Sequence, residues 1–242
     1  MSMILSASGM HFQDLNRTIH TTSDTEIEIN NCLGQRYIGS GLSGKTITIN
    51  GVPGNALGAY MDGCTIIVNG NAQDATGDTM NDGKIIIHGS AGDACGYAMR
   101  GGEIFVQGNV GYRAGIHMKA YQDKVPVMVI GGTAGSFLGE YQAGGLIVVL
   151  GIGSEGQQIV NNFCGTGMHG GRIFLRCPQL PPNLPPQIMA QKAGDEDLET
   201  IRPYVEQFTE YFGGNAGRLL TENFWLLPPN SKNPYRQLYT HC

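Results

Sequence analysis

A chain of 242 residues with 37 glycines, 14% charged residues and a net charge of -5 turns often and solvates sparingly; glycine stands at about twice its usual share and charge well below the usual quarter. Its Lys and Arg are scattered, which leaves no electrostatic footprint for a phosphate backbone and sets nucleic acid aside as a partner. The opening Met1-Ser2-Met3-Ile4-Leu5 lacks the regions of a signal peptide and no run approaches about 18 apolar residues, so a membrane span is set aside and a soluble cytoplasmic protein is expected.

Residues 1–26 precede the first repeat and are assigned as an N-terminal cap segment. From there a register of 19 residues takes over, carried by Gly39, Gly58, Gly77, Gly96 and Gly115. The same step relates Leu42, Met61, Met80, Met99 and Met118, and again Gly51, Gly70, Gly89 and Gly108. Between the second and third sets lie Ile47-Thr48-Ile49, Ile66-Ile67-Val68, Ile85-Ile86-Ile87 and Ile104-Phe105-Val106, which read as strands bounded by glycine turns. A polar insertion at 119–124 loosens the period before Val127-Met128-Val129, Ile147-Val148-Val149 and Ile173-Phe174-Leu175. One strand and two glycine corners per repeat are too short for a helical hairpin. The expected fold class is therefore all-β: a single-stranded parallel β-helix of about seven coils over residues 27–176, with a small helical tail.

Side chains alternate along a strand, so the first and third positions of each run are expected to stack as aliphatic ladders inside. The structural turns are assigned to Gly39, Gly58, Gly77, Gly96 and Gly115, where the backbone turns with positive φ or meets its neighbour closely. The second strand position reads Thr48, Ile67, Ile86, Phe105, Met128, Val148 and Phe174, an apolar stripe on the outside. Such a stripe is covered either by the chain's own tail or by a partner, which makes Ile67, Ile86, Phe105, Met128 and Val148 the candidate interaction residues. Asn50, Asn69, His88 and Gln107 form a further column, expected to stack amides along the repeats.

Pro178, Pro181, Pro182, Pro185 and Pro186 mark residues 177–194 as an extended linker. Residues 195–242 form the C-terminal helical tail. Asp195-Glu196-Asp197 opens a helix with Leu198, Ile201, Val205, Phe208 and Phe212 on one face and Pro203 as a kink, and Gly213-Gly214 ends it. Ala216 to Glu222 reads as a second short helix, followed by Phe224-Trp225-Leu226-Leu227. This tail packs on the repeats or caps their end.

Gly34-Gln35-Arg36-Tyr37-Ile38-Gly39-Ser40-Gly41, Gly54-Asn55-Ala56-Leu57-Gly58 and Gly70-Asn71-Ala72-Gln73-Asp74-Ala75-Thr76-Gly77 resemble the GXGXG repeats that close the large subunit of glutamate synthase, in its stand-alone form. The segment from Ile201 to Leu220 with Phe224-Trp225-Leu226-Leu227-Pro228 resembles that family's terminal helices and final strand. The resemblance implies a right-handed β-helix. It also implies a non-catalytic scaffold that supports glutaminase and FMN-binding synthase subunits in ammonia transfer to 2-oxoglutarate. FMN and an iron–sulfur cluster would then belong to partner subunits, with no cofactor bound by this chain. The segment Gly92 to Gly102 is also similar to rungs in the C subunit of formylmethanofuran dehydrogenase.

Reactive groups are thinly spread, and no catalytic, cofactor-binding or metal residues are assigned. Asp74, Asp78, Asp82 and Asp93 fall at corners, where turn chemistry favours them, and Ser43, Asp62, Asn81 and Arg100 make a mixed column rather than the paired acids of a glycan hydrolase. His11, His20, His88, His117, His169 and His241 fall on different columns. Cys32, Cys64, Cys95, Cys164, Cys177 and Cys242 show no C-x-x-C pair and are expected as reduced thiols. Two readings besides the scaffold stay open: a homo-oligomer built on the stripe, unrelated to glutamate synthesis, and a glycan-active enzyme with Asp62, Asn81 and Arg100 in a groove.

Overall fold

The computed structural model describes residues 2–229, so His241, Cys242 and the end of the segment assigned to 195–242 lie outside the described residues. Nine strands follow one another in parallel: β1 (Ser2–Ser6), β2 (Glu26–Leu33), β3 (Thr46–Val52), β4 (Asp62–Asn69), β5 (Asp82–Ile87), β6 (Glu103–Val106), β7 (Val127–Ile130), β8 (Ala143–Val149) and β9 (Gly170–Arg176). Two more, β10 (Gln191–Lys192) and β11 (Phe224–Leu227), add to the far end antiparallel, in the order β9-β11-β10. Three helices are present among the described residues: α1 (Phe12–Thr21), α2 (Asp195–Phe212) and α3 (Ala216–Leu220).

This corrects the expected fold class. A right-handed single-stranded β-helix needs ladders on more than one side of each coil, whereas the described strands make one open, mostly parallel eleven-stranded sheet. The reason lies in the repeat itself: only one run per repeat is rich in β-branched residues. Its return path is turn, with single bridges such as Ala72 to Ala91 and Ala91 to Val110 in place of a second ladder. Helices at both ends also remove the chain from the all-β class and make it α/β in content.

One face of the sheet holds the aliphatic columns. Ile47, Ile66, Ile85, Ile104, Met128, Ile147 and Ile173 stand in register, as do Ile49, Val68, Ile87, Val106, Ile130, Val149 and Leu175. All are buried. They are buried from the other side by the return turns, which bring Met61, Met80, Met99 and Met118 into the same cluster. At the first-strand end α1 completes this core with Leu15 and Ile19, one turn apart on its inner face.

The opposite face carries the outer stripe, and α2 lies across it. Ile86, Phe105, Val129, Val148 and Phe174 cluster with Ile201, Val205 and Phe208 of α2, Leu220 of α3 and Phe224 and Leu226 of β11. Each fully buried side chain of this size contributes about 1.5–3 kcal/mol, enough together to order a helix that would be marginal alone. The acidic first turn of α2 suits the helix dipole, and the Asp197 carboxylate accepts the Gly194 N–H at 3.0 Å. Pro203 sits inside α2 without ending it, and no described helix is long and apolar enough to cross a membrane.

Candidate interaction surface

The stripe singled out from sequence is covered by the chain itself. Ile86, Phe105 and Val148 are buried under the tail, and Ile67 is partly buried at the border of that cluster. Met128 does not belong to the stripe: it pairs with Ile104 on the inner column, and Val129 takes the outer place beside Phe105. The shift follows from the insertion, since Asn109 and Thr133 are matched across 24 residues. Counting back from Gly132 rather than Gly131 would have placed Val129 outside.

The exposed surface of interest lies on the return turns. Gly39, Gly58, Gly77, Gly96 and Gly115 have φ between +64° and +75°. At Gly77 a Cβ would sit 2.5 Å from Cδ1 of Ile104, so that side chain would have to shift to admit one. Beside this column run two columns of non-glycine residues that also hold positive φ. One comprises Tyr37, Ala56, Ala75, Ala94, Arg113, Phe137 and Phe163; the other comprises Tyr60, Thr79, Ala98, His117 and Tyr141. Left-handed geometry at a non-glycine residue costs about 1–3 kcal/mol where nothing offsets it. Here the N–H groups from Tyr37 to Phe137 in the first column and from Tyr60 to Tyr141 in the second each donate to a carbonyl of the next repeat, as in Ala94 to Tyr112 at 2.7 Å and His117 to Glu140 at 2.9 Å.

Aromatic side chains of these columns, joined by Tyr97 and Tyr112 from the same turns, make an aromatic band. Phe137 stacks on Phe163 with ring centres 4.7 Å apart and meets Tyr112 edge-on at 5.2 Å. His117 stacks on Tyr141 at 5.3 Å and meets Tyr97 edge-on at 6.1 Å. Tyr60 is 57% exposed and Phe163 51% exposed, and Tyr97 and Tyr112 are also open to solvent. Arg113 lies over the rings of Tyr112 and Phe137 and pairs through Nε with the buried Glu140 carboxylate at 3.0 Å. Exposed aromatics with an arginine fixed by a buried carboxylate form the composition that anchors protein interfaces. Sequence reasoning passed over them because their spacing follows the turn and not a strand or helix period.

Polar groups at the turns mainly hold the repeats together. Asp74 Oδ1 accepts from the Asp93 N–H at 2.9 Å and Asp93 Oδ1 from the Tyr112 N–H at 2.7 Å. The amide column runs Asn69 to Asn50 to Asn30 with hydrogen bonds of 2.7 and 2.8 Å, and stops at His88, whose ring instead packs on Phe212 of α2. Asp62 and Asp82 both pair with Lys124, which reaches back from the insertion, at 3.2 and 3.0 Å. Among the Lys124 contacts, the Asp82 hydrogen bond is the first cause holding the Asp82 carboxyl below its ordinary range. Arg100 is exposed, and Asn81 Nδ2 lies 3.5 Å from the Tyr60 carbonyl. His169 Nδ1 lies 3.3 Å from the Gly167 carbonyl. Among the described residues no three His, Cys, Asp or Glu side chains are grouped to hold a metal ion. The described cysteines form no disulfide; burial pushes the thiols of Cys95 and Cys164 up to about 12 and that of Cys177 up to about 11.

Comparison with known proteins agrees with the repeat. The uncharacterized protein MJ1350 of Methanocaldococcus jannaschii is 45% identical, over 98% of this chain and 96% of its own length. A chain of the formyltransferase/hydrolase complex (FhcABCD) from Methylorubrum extorquens, solved with methylofuran, shares the fold with a TM-score of 0.64 at 21% identity, over 84% of this chain and 73% of that chain. That neighbour is a component of a multisubunit complex. The GXGXG motif family matches residues 6–230, and the chain belongs to that family.

Proposed function

We propose that this chain is a non-catalytic scaffold subunit whose aromatic turn band docks a partner subunit of a multisubunit enzyme. The observation that carries the reading is the band itself: Tyr97, His117 and Tyr141 form one run of ring contacts and Tyr112, Phe137 and Phe163 another, with His117, Phe137, Tyr141 and Phe163 held at positive φ. Family membership supports it, as does the place of the M. extorquens neighbour within a complex. In the finer form of the proposal, taken from the resemblance to glutamate synthase, the partners are a glutaminase and an FMN-binding synthase that pass ammonia to 2-oxoglutarate. The chain's contribution is positional: it holds two active sites in register, and flavin and iron–sulfur chemistry stay with the partners. Cover of the stripe by α2 takes away the surface on which a stripe-based homo-oligomer relied. The test is purification of the tagged full chain from its native cells, with mass spectrometry of what accompanies it and an absorbance scan for flavin. Co-purification of a glutaminase and a flavoprotein with the native chain, lost with Tyr112→Ala/Phe163→Ala, is the expected result. Recovery of both partners with the double variant at native levels would remove the band from the proposal.

A further inference from the structure

Among the described residues the first strand is the one long edge of the sheet left open, and its chemistry fits a second copy of itself. In the strand order β1 stands at the end, with β2 on one side. The Ala7 N–H donates to the Asn30 carbonyl at 2.8 Å. Because successive backbone groups point to alternate edges, Met3, Leu5 and Ala7 serve the pairing with β2, while Ser2, Ile4 and Ser6 turn their N–H and C=O groups to the free edge.

Natural edge strands are guarded by charge, proline, a bulge or brevity. Ser2-Met3-Ile4-Leu5-Ser6 holds no charge and no proline, and it pairs with β2 without a register shift. Its side chains are uncharged on both faces: Met3 and Leu5 point toward the core yet stay partly exposed, and on the other face Ile4, between Ser2 and Ser6, is 69% exposed. Leu33, at the end of β2, is 80% exposed, so the two most exposed large hydrophobic side chains of the described residues both lie at this end of the sheet. The strand is also self-complementary. Turned about an axis through Ile4, it sets Ser2 against Ser6, Met3 against Leu5 and Ile4 against Ile4 of the second copy.

We infer that two copies of this chain join through their β1 edges, antiparallel and centred on Ile4, to continue the sheet across a two-fold axis. The outward groups of Ser2, Ile4 and Ser6 then supply about six main-chain hydrogen bonds, and the contact is isologous and closes on itself. The surface is separate from the aromatic band, so the pair leaves that band free.

Light scattering on the full chain as it elutes from a sizing column, over a dilution series, reads the association directly. Ile4→Pro removes the outward N–H and leaves the bonds of Met3 and Leu5 to β2 in place, and Ile4→Lys places a charge on the edge. The expected result is a concentration-dependent dimer for the native chain, with both variants monomeric over the same series and matching the native chain in circular-dichroism melts taken at dilutions where it is monomeric. Met189→Ser, a change at another exposed apolar side chain, is expected to keep the dimer. A native chain that stays monomeric throughout, or a dimer of equal strength in both Ile4 variants, would overturn the inference.

Discussion

The Nζ of Lys84 on β5 lies 3.0 Å from the hydroxyl of Tyr211 on α2, across 127 residues of sequence. The same ammonium pairs with the Glu103 carboxylate at 2.9 Å and donates to Gln207 Oε1 at 2.5 Å, so one half-buried lysine ties two neighbouring strands to the helix above them. Phe105 completes the seam with its ring 5.2 Å from that of Tyr211.

Removing this tie is expected to loosen the tail before the sheet. Lys84→Met leaves Glu103 without its cation and should cost about 1–3 kcal/mol in urea unfolding. Limited proteolysis should cut first in residues 177–194, and earlier than in the native chain. Equal protection of both chains would count against the seam as the helix anchor.

The same lysine sets a pH dependence. Burial acts first and lowers its pKa, but the hydrogen bonds and charges of Tyr211 and Glu103 outweigh it, and the net direction is above the ordinary lysine value of 10.5. A folded pKa above the unfolded one contributes stability that is fully present below 10.5 and is lost as pH rises through the folded value. Unfolding midpoints compared between the native chain and Lys84→Met should therefore converge as the pH rises above that of an ordinary lysine.

Aspartate is expected to be damaging on either face of β5. Ile85 belongs to the inner columns and Ile86 to the cluster under α2, and both are buried. Ile85→Asp should abolish folding, and Ile86→Asp should release α2 at a cost of several kcal/mol. A soluble Ile86→Asp chain with a native melt would show that the tail does not rest on the stripe.

The turn glycines separate strain from crowding. Gly77→Ala meets both positive φ and Cδ1 of Ile104, whereas Gly41→Ala meets positive φ (+65°) with open space around it. Gly77→Ala should be the costlier by about 1–3 kcal/mol. Ile104→Val, which removes the clashing methyl, should recover part of the difference in a double-mutant cycle.

Thiol chemistry should follow burial. With the Cys95 and Cys164 thiols pushed up to about 12, iodoacetamide at pH 8 should leave both unmodified in the folded chain and label them on unfolding, as read by peptide mapping. Labelling of either in the native state would place it nearer the surface.

Much of the architecture was legible in the repeat. The aliphatic columns of Ile47 and Ile49 came directly from strand alternation, and the helix over Asp195–Phe212 from the spacing of Ile201, Val205 and Phe208. The sheet count was not legible, because alternation reports which way a side chain points but not how many ladders the return path makes. Helix α1 was missed although Leu15 and Ile19 stand one turn apart, since ten residues give a weak period beside so strong a repeat. The aromatic band was invisible for another reason: tyrosine and phenylalanine at turn positions acquire meaning only when successive turns are laid on one another.

The side-chain ladder of the turns has its own consequence. Asn71, Ser90 and Asn109 each hold the main chain of the following repeat, twice across 19 residues and once across 24. The ladder thus counts turns and not residues: the extra length before β7 is pushed outward as the short hairpin in which Tyr121 bridges Lys124, and the sequence of grips goes on unbroken. Growth of such a chain is quantised at one level and free at another. Whole repeats can be copied or deleted between any two grips, and surplus residues are tolerated wherever they can leave by the side, but a lost residue between a grip and its strand turns the aliphatic positions of that strand to the wrong face.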